Sequence, residues 1–348
     1  MSLVSTLVQD SRVTSELSKF EILIEQAGIF DTFKRQSDAP GGILTDELKS
    51  TAFVSAGRDV TVPVLNYKDV TVRSTRPLTI SADENTSAFV TITWTTLAYG
   101  FKMYPAQHFN NEISYQQDFD HKYKAMMRKF IATLEGLGNT ALNAAKTQVI
   151  GEVTGGHTFA SNVVSETGIT NLYSSYIMHD LVPMMASNDF YDIGMDVVGN
   201  QGLRSIVQRM AGFGQYNNED KTLPFENKLL HWSNQISNAS GKNATGYAVG
   251  DGSLGLLTRV EPDAILQTRL GTSHEWDVVE LPMIGQVGTY VYEEAVNAAS
   301  VAGAATAHLT RTGAQNFDFA FDVAFITPYN SDQSTIASPI LKFDIDTD

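Results

Sequence analysis

The chain has 348 residues, 43% of them hydrophobic and 18% charged, with a formal net charge of −15 and no cysteine. That share of apolar side chain offsets chain entropy, so the protein is globular, with length for about two domains or one large interrupted one. The missing cysteines exclude disulfides, thiolate zinc sites and cysteine nucleophiles, and 24 lysines and arginines scattered without a run argue against tight phosphate contact with nucleic acid.

Residues 1–20 lack the basic start and apolar core of a secretory signal, and no apolar run approaches the ~20 residues that span a bilayer. The expected setting is a cytoplasm, where the Asn-X-Ser/Thr triplets at Asn85, Asn238 and Asn243 carry no glycosylation meaning.

In chain order, Leu17, Phe20, Ile24 and Ala27 are spaced by three and four, which predicts a short amphipathic helix over 12–27. The stretch 28–50 is mixed, and Asp38-Ala-Pro-Gly-Gly42 marks a turn. The first sixty residues read as an arm that needs something to pack on. Val60, Val62 and Val64 then alternate, as do Val70 and Val72. Val90, Ile92 and Trp94 share one strand face, opposite Thr91, Thr93 and Thr95. A polar, turn-like stretch at 79–87 separates them, so 59–102 reads as a long hairpin with one apolar face.

Over 112–149, Phe119, Tyr123, Met126, Phe130, Leu134, Leu137, Ala141 and Ala144 form one stripe of period near 3.6, which predicts a single long helix. Asp118 with Lys122 and Asp120 with Lys124 stand in the favourable order along it. Gly136 and Gly138 weaken its second half, or mark a kink or close packing. At about 1.5 Å per residue the element would exceed roughly 50 Å.

The Gly/Ser/Thr-rich stretch 151–168 reads as a loop or loose hairpin. A helix is expected over 170–186, with Leu172, Tyr176, His179 and Pro183 on or near one face. A strand at 193–198 leads into a helix at 200–212 with the stripe Leu203, Ile206, Val207 and Met210. Strands follow at 228–236, 277–281 and 287–292, with shorter apolar pieces at 254–259 and 266–270. The small-residue run 295–307 reads as surface loop. The cleanest strand has Phe317, Phe319, Phe321, Val323 and Phe325 on one face, and an aromatic face of that kind is expected to bury against a helix. A last strand covers 340–345.

Catalytic and metal motifs are missing. His108, His121, His157, His179, His231, His274 and His308 show no metal-ligand spacing. The adjacent pair His179-Asp180 and the run His274-Glu275-Trp276-Asp277 read as structural. Gly241-Lys242-Asn243-Ala244-Thr245-Gly246 lacks the order of a phosphate loop, Gly250-Asp-Gly252 and Gly255 lack the context of a dinucleotide site, and no Gly-X-Ser-X-Gly elbow occurs. Glu293-Glu294 reads as a solvated face. No catalytic, cofactor-binding or metal residue is assigned, and no cofactor is expected.

The order of elements resembles the major capsid protein of tailed bacteriophages, an α+β subunit with the Hong Kong-97-type shell fold. Two segments strengthen the resemblance: Asp192-Ile-Gly-Met-Asp-Val-Val-Gly-Asn-Gln-Gly-Leu-Arg204 is similar to that family's axial strand running into a helix, and Phe225-Glu-Asn-Lys-Leu-Leu-His-Trp-Ser-Asn-Gln-Ile236 to its following strand. The resemblance implies an N-terminal arm at 1–58, an extended hairpin (E-loop) at 59–102, a peripheral domain with its spine helix at 103–169, an axial domain at 170–314, and return strands of the peripheral domain at 315–348. It implies a structural role rather than an enzymatic one: self-assembly into hexamers and pentamers of an icosahedral head around double-stranded DNA. Implied partners are copies of itself, scaffolding, portal and decoration proteins, and packaged DNA without specific binding, with no membrane; the implied location is the virion, assembled in the host cytoplasm.

Tyr67, Lys68, Arg73 and Arg76 in the hairpin, and Phe20 and Ile24 in the arm, are then the candidate assembly-interface residues. Some members of that family cross-link through a lysine, and Lys68 lies in the hairpin. No scaffolding segment precedes the arm, which leaves a separate scaffold or a processed form open. The negative charge suits a wall that DNA must not stick to, and equally suits ordinary solubility. Three other readings remain: an encapsulin-like protein compartment of the same fold, a soluble α/β enzyme with an unmarked site, and another virion or tail structural protein.

Overall fold

The computed structural model describes residues 3, 6–9, 27–39, 42–54, 60–65, 74, 86–108, 113–146, 157–169, 176–190, 194–211, 222–223, 228–265, 274–294, 313–329 and 337–347. After a helical stretch at 6–9, whose Leu7 and Val8 are buried, come helices α1 (Gly28–Asp38) and α2 (Asp46–Val54). Strands β1 (Thr61–Leu65), β2 (Ser87–Thr91) and β3 (Thr95–Met103) lead into the long helix α3 (Tyr115–Ala145). Next are the hairpin β4 (Thr158–Ala160) and β5 (Val163–Ile169), helix α4 (Ile177–Ala186), strand β6 (Met195–Gly199) and helix α5 (Gln201–Ala211). Strands β7 (Thr222–Leu223), β8 (Lys228–Trp232), β9 (Ala244–Gly250) and β10 (Gly255–Arg259) precede a short turn of helix, α6 (Pro262–Ile265). The hairpin β11 (His274–Leu281) and β12 (Gly285–Glu294), the long β13 (Ala314–Ile326) and β14 (Ile340–Thr347) complete the order.

The described elements make a mixed α+β fold with three sheets: β1-β2 alone, a five-stranded sheet built on β13, and a seven-stranded sheet in the order β4-β5-β14-β9-β6-β8-β7. β13 is long enough to take β12 and then β10 in succession along one side, while β3 lies antiparallel along the other. In the seven-stranded sheet, β14 pairs parallel with β5 and β6 parallel with β8, and the other pairs are antiparallel.

Helix α3 covers the five-stranded sheet for the reason its stripe predicts. Phe119, Tyr123, Met126, Phe130 and Leu134 pack on Leu97, Phe101, Phe317, Phe319, Phe321 and Val323. The rings interlock: Phe101 stacks on Phe317 at 5.4 Å between centroids, and Phe119 and Phe130 meet Phe317 and Phe321 edge-on at 5.6 Å and 5.4 Å. Ser114 starts the helix with a full capping box, its hydroxyl taking Gln117 N and the Gln117 side chain taking Ser114 N. Lys122 pairs with Asp118 at 2.8 Å.

Several expectations change. The helix begins at Tyr115 and its 31 residues span about 46 Å. Ala144, the last member of the sequence stripe, is exposed, because the buried face passes to a second row, Ile131, Glu135, Gly138 and Leu142. Of the two helix glycines, only Gly138 sits in close packing: a Cβ there would lie 2.6 Å from Ile29 Cγ2, whereas one at Gly136 would meet nothing within 4 Å. Gly136→Ala is therefore expected to stabilise the protein by about 0.5–1 kcal/mol in thermal melts, and Gly138→Ala to destabilise it by about 1–3 kcal/mol.

Residues 28–38, read as part of a mixed stretch, form α1. Its buried face mixes Ile29, Phe30 and Phe33 with Thr32, Gln36 and Ser37, so no apolar stripe marks it. Residues 12–26 of the amphipathic helix expected before it lie outside the described residues, and Ala27 makes an isolated bridge to Ser233 instead of helix. The stretch 151–168 holds a hairpin turned by Ser161 and Asn162, both at positive φ. In α4 the buried residues are Ile177, Met178, Leu181, Met184 and Met185, while Tyr176 and Pro183 face solvent, so the expected stripe lay on the wrong side. β14 does not return to the sheet of β13. It is a middle strand of the seven-stranded sheet, with Leu341, Phe343 and Ile345 in the core beneath α4 and α5. Val70, Val72, Leu172 and the stretches 266–270 and 295–307 lie outside the described residues.

Candidate assembly surface

The two-stranded ribbon β1-β2 belongs to neither larger sheet. Its register sets Val62 opposite Val90, Pro63 opposite Phe89 and Val64 opposite Ala88. Val62, Val64, Ala88 and Val90 are half-buried on one face, while Thr61, Pro63, Phe89 and Thr91 point out. Phe89 is 76% exposed. Pro63 fits here because a ribbon of two edges needs no donor on the outer side. The ribbon is rooted in its own chain by Val60 and Ile92, which bury with Leu44, Ala52, Leu257 and Ala324, and Ile92 N donates to Val60 O at 2.9 Å. Between the ribbon and the end of β13 runs an apolar groove of about 480 Å³, lined by Ile43, Leu48, Val62, Val90, Phe325 and Tyr329 among others.

Of the stretch expected to form the hairpin, β1 and β2 make the ribbon, but β3 pairs along nine positions of β13 in the five-stranded sheet. All six candidate interface residues, Tyr67, Lys68, Arg73, Arg76, Phe20 and Ile24, lie outside the described residues.

The titratable groups singled out in the sequence fall into structural settings. Asp180 pairs not with its neighbour His179 but with His157, whose Nε2 lies 2.7 Å from Asp180 Oδ2. The His157 side chain is fully buried and ties the β4-β5 hairpin to α4. His231 sits between Asp31, at 3.5 Å, and Asp196, at 3.9 Å. Lys242 reaches Asp346 at 2.9 Å, and Gly246 is a strand residue under the Phe343 ring, which accounts for the false phosphate-loop pattern. Burial, and then the nearby Asp118, push the Tyr115 hydroxyl up to about 12, so it stays a neutral donor, here to Gln315. Among the described residues no group of three or more His, Asp or Glu is placed to hold a metal ion. No described helix is long and apolar enough to cross a membrane.

Sequence reasoning missed Glu135. Its position in the row Ile131, Glu135, Gly138, Leu142, spaced four, three and four, was the available signal.

No protein-family model matches the chain, and no curated protein matches it. Among solved structures it is similar to the capsid asymmetric unit of cyanophage Pam1, at 11% identity and a TM-score of 0.48, over 87% of each chain. It is similar to a structure from Mycobacterium phage Che8, at 8% identity and a TM-score of 0.47, over 86% of this chain and 88% of that one. It is also similar to the mature capsid of bacteriophage PhiM1, at 8% identity and a TM-score of 0.46, over 89% of this chain and 90% of that one.

Proposed function

We propose that this chain is the shell-forming subunit of a tailed-phage head, a major capsid protein that assembles with copies of itself around double-stranded DNA. The observation that carries the reading is the ribbon. A two-stranded sheet on its own is marginal in water, and this one keeps an outward row headed by Phe89. Such a ribbon gains stability when it lies across a neighbouring subunit. Without cysteine, the shell would be held by many modest contacts whose sum is large.

In this reading the five-stranded sheet with α3 is the peripheral layer, and the seven-stranded sheet with α4 and α5 is the axial layer. Of the arm and the hairpin, the stretch 10–26 and the ribbon with its connection 66–85 reach other subunits, with Tyr67, Lys68, Arg73, Arg76, Phe20 and Ile24 at the contacts, while α1, α2 and β3 belong to the subunit's own packing. Scaffolding, portal and decoration proteins are further partners, and the role is structural rather than catalytic. The test is negative-stain microscopy of the purified protein over a range of salt and protein concentrations. Closed shells, tubes or capsomer rings are expected. A monomer under all conditions, and also when co-expressed with the scaffold protein of its own genome, would overturn the reading.

A further inference from the structure

The ribbon carries a knob on one side and a hole on the other. Alternation along β2 turns Val90 toward the chain's own body and Phe89 away from it. No other large apolar side chain among the described residues is as exposed as Phe89. On the inner side, the groove between the ribbon and the end of β13 is built before anything enters it. Leu44 and Ile43 lie so close to β10 that a Cβ at Gly255 would stand 2.5 Å from Leu44 Cδ1 and 3.2 Å from Ile43 Cγ2. Ile43 N donates to Gly252 O at 2.9 Å, and buried Val60 and Ile92 hold the ribbon wall. At the rim, Ile43 and Tyr329 stay 38% and 43% exposed. The volume of about 480 Å³ is in the range that takes a ligand-sized apolar body. Phe89 does not line this groove. A ring on the outer side of the ribbon reaches the inner side only if the strand slips its register by one residue.

Charge decides what fits. No residue that lines the groove is charged. Thr61, Pro63, Ser87, Phe89 and Thr91, the exposed residues of the ribbon, are uncharged too. The chain as a whole carries −15, so its copies repel over much of their surface. These two neutral surfaces let one copy approach another without setting carboxylate against carboxylate.

We propose that Phe89 of one copy seats in the groove of the next, between that copy's ribbon and the end of its β13. The inference rests on the reading that copies of the chain assemble, and it names what receives the ribbon. Knob and hole are different surfaces, so the contact is head-to-tail. Each copy gives one ring and takes one, and the contact closes into a ring of subunits or runs on as an open row. An aromatic side chain that enters a water-excluding recess carries a large share of the association energy.

The absence of cysteine makes the test direct, since an introduced thiol is the only one in its chain. Ser87 stands two residues from Phe89 on the same outward side, and Ile43 and Tyr329 stand at the groove rim, so each takes a cysteine without touching the ring. Ser87→Cys chains are co-expressed with Ile43→Cys chains, and separately with Tyr329→Cys chains, under different tags, and treated with a short bifunctional thiol reagent. Mixed covalent dimers are expected in clear excess over the like-with-like products of either variant. Adding Phe89→Ser to the Ser87→Cys chain is expected to cut their yield about tenfold or more, and Phe89→Leu to restore much of it. Because Phe89 is exposed, circular dichroism of these variants should match the parent. Dominant products joined through two Ser87→Cys chains, no mixed dimers at either groove position, or mixed dimers indifferent to Phe89→Ser would overturn the proposal. Particles in the microscope without mixed dimers sink the proposal and leave the shell reading standing. A chain that stays monomeric with and without its scaffold protein removes both.

Discussion

Replacing residues 66–86 with an Asn-Gly turn is expected, on the shell reading, to leave a folded subunit that builds no closed shells. The ribbon root, Val60 and Ile92 against Leu44, Leu257 and Ala324, stays in place. An Asn-Gly pair suits a short turn between antiparallel strands whose ends stand in register, as Leu65 and Ser87 do. Circular dichroism melts should move by a few degrees at most, because β1, β2 and their root keep their own contacts. On the shell reading, microscopy should show the large effect, a complete loss of closed particles, because that reading gives the stretch its contacts between subunits. Intact shells from this variant would remove the ribbon from the assembly account.

Phe317→Ala is expected to cost about 3–5 kcal/mol of subunit stability. Phe317 is buried between Phe101, which it stacks on, and Phe119, which meets it edge-on, so truncation opens a void lined by rings that cannot collapse without shifting α3. Removing Phe317 also takes away two aromatic contacts, each worth about 0.5–1.5 kcal/mol beyond area burial. Denaturant unfolding measures it directly, and a loss below about 1 kcal/mol would mean that the core repacks. Unlike the ribbon deletion, this change acts within the subunit, so shell loss would follow instability rather than replace it.

The parts of the fold that could be read from sequence are those where consecutive positions meet one partner. The stripe from Phe119 to Leu134 and the alternation from Phe317 to Val323 name the two faces that pack together. Helix α1 was hidden because its buried side carries Thr32, Gln36 and Ser37, which are inside to make hydrogen bonds rather than to escape water. The face of α4 was misjudged because Met178, Leu181 and Met185 fill the core while the aromatic Tyr176 stays outside. Alternation identifies β14 as a strand but says nothing about which sheet receives it, and that choice is made by β5 and β9, far away in sequence. The candidate surface was legible at its root, in Val60, Val62, Val90 and Ile92. The groove beside it was not, since four separated segments supply Ile43, Val62, Val90 and Tyr329.

The placement of β14 bears on how the subunit reaches its folded state. Phe343 lies opposite Val164, and Ile340 opposite Val249. Until that strand inserts, the seven-stranded sheet is two fragments, β4-β5 and β9-β6-β8-β7, each with a raw edge ready to pair with any extended chain. Closing so long a loop for a central pairing is slow, so chains that have folded all but β14 are expected to present those edges, and their fate to depend on concentration. Dilute refolding should therefore outperform concentrated refolding.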